Sequence, residues 1–139
     1  MTCKSAPIGC LQVNFKNRIM VVSKYFSEKE FQQCVPECSL QNMKQTTMSK
    51  LDTAREIAEI PFVLTSAFRS SEWDREKGRS GTGAHTLGRA VDIRCDVSRN
   101  RFLIVKALLK AGFKRIGIAK NFVHADDSEI HEQEIVWLY

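Results

Sequence analysis

Two segments constrain this chain more than any other feature: Gly83-Ala-His85-Thr-Leu-Gly-Arg-Ala-Val-Asp92 and Phe122-Val-His124-Ala-Asp126. They place two of the three histidines, and two carboxylates, on short stretches with apolar neighbours. Residues two apart on a strand share a face. Ala90, Asp92 and Arg94 therefore belong to one face of a strand, with Val91 and Ile93 on the other. His124 and Asp126 share a face of a later strand by the same rule. If those strands are neighbours in a sheet, Asp92 and His124 converge, and the glycine-rich turn around His85 can bring the second imidazole to them. Two imidazole nitrogens and one carboxylate oxygen are the ligand set of a zinc site whose fourth position stays open to water. His131 competes for the third position. Its neighbours Glu129, Glu132 and Glu134 make it read as part of a solvated acidic stretch.

Size and composition narrow the rest. A chain of 139 residues holds one domain and is too short for two comfortable ones. With 43% hydrophobic and 27% charged residues it has the makeup of a globular chain and not of a disordered one. No apolar run reaches the roughly 20 residues of a membrane helix, so no membrane partner is expected. The first ten residues lack the apolar core of a secretory signal. Synthesis in the cytoplasm is expected, with any outer target reached by another route. The net charge of +5 raises the question of nucleic acid. The basic residues are interspersed with acidic ones, however, and form no stripe with exposed aromatics, so nucleic-acid binding is not expected. The five cysteines are an odd set. Cys34 and Cys38 could begin a metal knuckle or form a disulfide, but Cys3 and Cys10 do not supply a second pair of matching spacing. Cys95 reads as a small core residue.

Residues 1–24 read as an arm ending in a possible strand at 18–23. Residues 25–139 form the domain. Ser27 and Glu30 make a capping-box pattern at a short helix start, and Pro36 limits its length. Met48, Leu51, Ala54, Ile57 and Ala58 recur at helical spacing over residues 41–59, and Pro61 follows. Residues 62–66, 90–94, 115–119, 122–125 and 135–139 read as strands or a packed tail. Residues 69–84 read as a long polar loop, of a kind that often carries function. Asp96 or Ser98 is a candidate cap for a helix with apolar positions Phe102, Ile104, Val105, Leu108 and Leu109, closed by Gly112. The fold class is α+β, a small antiparallel sheet flanked by helices.

The pattern Gly-x-His85-x-x-Gly-x-Ala-x-Asp92, followed by Phe-Val-His124-x-Asp126, resembles the compact zinc D-alanyl-D-alanine carboxypeptidases and L-alanyl-D-glutamate endopeptidases that cut bacterial peptidoglycan. That group shares its fold with the hedgehog signalling domain and includes bacteriophage proteins. Tyr25-Phe-Ser-Glu-Lys-Glu-Phe31 with Cys34 and Cys38, Thr65-Ser-Ala-Phe-Arg69-Ser70, and Val136-Trp137-Leu-Tyr139 resemble further segments of the same group. The resemblance implies zinc held by His85, Asp92 and His124. It implies that Arg69 anchors a carboxylate of the stem peptide, helped by Ser66 and Ser70, in a protein acting on the cell wall as a monomer. Trp137 reads as core. Larger members carry Glu or Asp three positions before the last histidine ligand as general base. That position is Asn121 here, and Asp126 is expected either to take over as base or to orient His124.

Overall fold

The computed structural model describes residues 12–13, 19–32 and 38–139. In chain order its strands are β1 (Gln12–Val13), β2 (Ile19–Met20), β3 (Leu64–Ser66), β4 (Ala90–Arg94), β5 (Arg115–Ile118), β6 (Phe122–Asp126) and β7 (Ile135–Leu138). The α-helices are α1 (Gln45–Ala58), α2 (Ser71–Glu76) and α3 (Ser98–Ala111). β1 and β2 pair with each other. The other five strands form one sheet in the order β3-β4-β6-β5-β7. This is the α+β fold expected. The sheet is antiparallel through β3, β4, β6 and β5, and β7 joins β5 in parallel at the edge.

The strands sort their residues by face. Val91 and Ile93 of β4, Val123 and Ala125 of β6 and Ile116 of β5 are fully buried with Met48, Leu51 and Ala54 of α1 and Ile104, Ala107 and Leu108 of α3. α1 and α3 pack on each other, and α3 also meets β6. Burying a side chain of this size contributes about 1.5–3 kcal/mol, so this layer carries much of the stability. It leaves the opposite face of β4 and β6 to their polar residues. On α3, Phe102 and Leu109 remain 64% and 49% exposed, outside the buried stripe.

Local signals set most boundaries. The Ser27 N–H donates to Glu30 Oε2 at 2.7 Å, closing the expected capping box on a single 3₁₀ turn, Glu28–Phe31. α1 ends with Glu59 in the left-handed region (φ 57°), just before Pro61. α3 ends at Gly112 (φ 104°), as expected. Its start differs from expectation. Val97 holds the cap position between the two candidates Asp96 and Ser98, with no side-chain cap bond. The polar segment 69–84 also differs, because α2 interrupts it. Ser70 Oγ accepts from Trp73 N at 3.1 Å, and the buried Asp74 accepts from Gly81 N at 3.0 Å. A helix of six residues has too few apolar positions to show a period, which is why this segment reads as loop. The strand expected over 18–23 is confined to Ile19–Met20, and part of the arm lies outside the described residues, as do Cys3, Cys10, Cys34 and Pro36. Cys38 is buried with its thiol donating to Phe68 O at 3.0 Å, and Cys95 is buried as expected.

Candidate metal centre

Register builds the centre. Asp92 and His124 are direct partners across β4 and β6, so both side chains stand on the polar face of the sheet. His124 Nδ1 lies 2.9 Å from Asp92 Oδ1. His85 arrives from a 3₁₀ turn, Ala84–Leu87, that precedes β4. Gly88 ends that turn with φ +71°, and a Cβ there would fall 2.2 Å from Asn42 O. Only glycine allows so close an approach. The Gly88 carbonyl then accepts from Lys44 N at 2.9 Å, tying the turn to the start of α1. So held, His85 Nε2 lies 3.4 Å from Asp92 Oδ1. Ligand atoms of His85, Asp92 and His124 lie within 4.8 Å of one another, the arrangement of a centre that could hold a metal ion.

Each ring is oriented through its second nitrogen. His85 Nδ1 lies 2.6 Å from the Ala67 carbonyl. A carbonyl only accepts, so Nδ1 carries a proton and Nε2 is the nitrogen turned toward Asp92. His124 is turned the other way, with Nε2 2.7 Å from Asp126 Oδ2 and Nδ1 toward Asp92. Supports of this kind fix ring orientation and ligand basicity in metal sites. Asp126 is itself secured, its Oδ1 accepting from Arg115 Nε at 2.8 Å and from Ser128 N at 3.1 Å.

The charges are mutually adjusted. Burial raises the Asp92 carboxyl, but hydrogen bonds from His124 and His85 outweigh it and hold the group below its ordinary value of 3.8. Burial also raises Asp126, and the His124 hydrogen bond, with the His124 and Arg115 charges, reverses the shift. For His124 burial disfavours the charged ring, yet the bonds to Asp126 and Asp92 hold it above 6.5. Both carboxylates are therefore anionic near neutral pH.

The remaining candidates surround this cluster unevenly. Ser66 stands across β3 and β4 from Asp92, and its buried hydroxyl has no hydrogen-bond partner among the described residues. Arg69 is tied to the centre through its backbone N–H, which donates to His85 O at 3.2 Å, and its Nε lies 3.5 Å from Asp74 Oδ1. The Ser70 hydroxyl caps α2. His131 is outside the cluster, with Nδ1 2.6 Å from Ser128 Oγ. Asn121 sits in the exposed turn before β6.

Two features were not legible beforehand. Trp137, read as core, is half-buried, with its ring 5.3 Å from the His124 ring and 6.2 Å from Tyr139. These rings lie over Gly117, the β5 partner of His124. A Cβ there would meet Tyr139 at 2.6 Å and Trp137 at 2.7 Å. Arg115 is the second, and the only signal for it is a basic residue at the head of β5. Its importance depends on a register with Asp126 that no local pattern encodes.

Two imidazoles and a carboxylate thus converge on one face of a mixed sheet backed by helices, a cluster that could hold a metal ion. Residues 24–126 match the family model of Peptidase M15, and the chain belongs to that family. No curated protein matches it.

Proposed function

We propose that this protein is a zinc metallopeptidase that hydrolyses a peptide bond in the stem peptide of peptidoglycan. The observation that carries the reading is the convergence of His85, Asp92 and His124 within 4.8 Å in a chain of a peptidase family. The donor set suits zinc, with His85 Nε2, His124 Nδ1 and a carboxylate oxygen of Asp92 as ligands. Bound there, zinc would supply a Lewis acid for the scissile carbonyl and would lower the pKa of its water toward about 7. The chain's own residues do the rest. Asp92 stays anionic beside two imidazoles, and Asp126 and the Ala67 carbonyl present the lone pairs of His124 and His85. Arg69 anchors a stem-peptide carboxylate, a task suited to a planar guanidinium, and Ser66 offers a hydroxyl beside Asp92. With no membrane partner or nucleic acid invoked, the protein works on the cell wall as a monomer, as a bacterial or phage enzyme. Among the described helices, none is long and apolar enough to cross a membrane.

Asp126 has two candidate roles, general base or orienting partner of His124. Its two oxygens already serve His124, Arg115 and Ser128 N, which favours the orienting role over the base. The same observation, with Asn121 at the other expected base position, favours a second reading in which a wall-binding protein keeps the centre without turnover. One experiment addresses both. Bound zinc is quantified, and muropeptides are incubated with the protein under mass spectrometry. One zinc per chain and a defined mass loss, both absent in His85→Ala, support the peptidase and identify the bond. Zinc with intact muropeptides selects the binding protein, and no zinc rejects both. In Asp126→Asn at saturating zinc, retained turnover fits the orienting role, whereas abolished turnover with full metal occupancy returns Asp126 to the role of base.

A further inference from the structure

Arg115 touches both supports of His124. Its Nε donates to Asp126 Oδ1 at 2.8 Å, on the carboxylate whose other oxygen meets His124 Nε2 at 2.7 Å. Its guanidinium carbon sits 5.2 Å from the centre of the Trp137 ring, which lies 5.3 Å from the His124 ring. Its Nη1 donates to the Glu132 carbonyl in the β6–β7 connection. The side chain is 12% exposed and the Asp126 side chain 1%, so these bonds are largely shielded from water. Lysine could not reproduce the arrangement, because an ammonium has no plane to stack and no fixed fork of donors. Register makes it possible, since Arg115 is the β5 partner of Asp126, and Gly117, two residues on, is the partner of both His124 and Trp137.

We propose that Arg115 is a positioning residue for the metal centre, locking Asp126 and Trp137 on two sides of His124 so that Nδ1 is presented beside Asp92. The proposal rests on the metallopeptidase reading for its consequence, and on the geometry alone for its cause. Arginine need not approach the substrate for this. The effect passes through one carboxylate and one ring, and the loss of such an outer support typically weakens metal binding about 10–100-fold.

The test compares wild type, Arg115→Gln and Thr47→Val, the last removing a buried hydrogen bond to Asp127 on the other side of the sheet. Zinc affinity is measured by chelator competition well below each melting temperature. Solvent exchange of the His124 Nε2 proton is followed by NMR with and without zinc. The expectation is zinc binding weaker by about 10–100-fold in Arg115→Gln, with the Nε2 proton broadened by exchange in both forms. Thr47→Val should lose thermal stability and leave both readouts unchanged. Binding within about twofold of wild type and a sharp Nε2 signal in Arg115→Gln overturn the proposal, as does equal weakening in Thr47→Val, which would make the effect one of general stability. If Arg115→Gln does not fold, Arg115→Lys carries the same expectation. Wild type without zinc affinity rejects the metallopeptidase reading, and the proton exchange of the metal-free protein still decides the role of Arg115.

Discussion

Asp126 and Asp127 are neighbours in sequence, both buried, and they do opposite things. Asp126 faces the polar side of the sheet, where it meets His124 and Arg115. Asp127, one residue on, turns toward α1. It accepts from Thr47 Oγ1 at 2.6 Å and from Lys50 Nζ at 3.2 Å, and lies 3.6 Å from Arg89 Nη1. The alternation of a strand separates the two. One carboxylate becomes part of a centre that could hold metal, the other a clasp between α1, the turn before β4 and the end of β6. The difference teaches that burial and charge alone do not mark a functional carboxylate. What it faces does.

This contrast can be broken at either residue. The largest effect is expected from removing a ligand on the Asp126 side of the sheet. His85→Ala should abolish stoichiometric zinc and muropeptide cleavage while leaving the far-UV spectrum intact, and metal analysis beside circular dichroism checks this. Asp126→Ala comes next, with zinc affinity lower by about 10–100-fold, since His124 loses the acceptor that orients it. Chelator competition reads that change. Asp127→Ala should reverse the pattern. Stranding Thr47 and Arg89 costs about 1–3 kcal/mol in denaturant unfolding, with zinc affinity unchanged. Weakened zinc binding in Asp127→Ala, or a stability loss without metal loss in Asp126→Ala, would dissolve the distinction.

The smallest effect is graded and depends on pH. Zinc needs the neutral His124 ring, whose pKa is held above 6.5. Apparent zinc affinity should therefore rise with pH by at most about tenfold per unit, levelling once pH exceeds the raised value. The metal-free protein behaves differently. A raised histidine stabilises the fold below 6.5 and loses that contribution as pH climbs through its folded value. The lowered Asp126 stabilises the fold above 3.8 and loses its contribution as pH falls through its own folded value. The gain in melting temperature on adding zinc should thus grow from mildly acidic to mildly alkaline pH. A gain that shrinks over that interval would contradict the assigned ligand.

Much of this molecule is written locally. The capping pair Ser27 and Glu30, the helical spacing of Met48, Leu51 and Ala54, the stop at Gly112 and the alternation in β4 and β6 are short-range consequences of side-chain chemistry and backbone period. Even the three candidate ligands could be named from two segments, because Asp92 and His124 alternate with apolar, strand-forming residues and His85 sits in a glycine-bounded turn just before the first strand. What fails locally is whatever depends on partners far along the chain. α2 is too short to show a period, and it forms because Ser70 caps it and Asp74 gathers Gly81. Phe102 and Leu109 fit a helical pattern, yet only the packing of α3 on α1 shows which stripe is buried.

The sequence by itself determined the side chains that could hold a metal, the strands that carry Asp92 and His124 and the class of fold, since these follow from side-chain chemistry and from periods of two and 3.6 residues. Only the tertiary structure decided that Asp92 pairs with His124, that Arg115 meets Asp126, that the two histidines offer opposite nitrogens, and that Asp126 and Asp127 divide their labour. Those outcomes are set by strand register. Register is fixed by the burial of a whole face at once, and a slip of one residue would turn every side chain of a strand to the other side of the sheet.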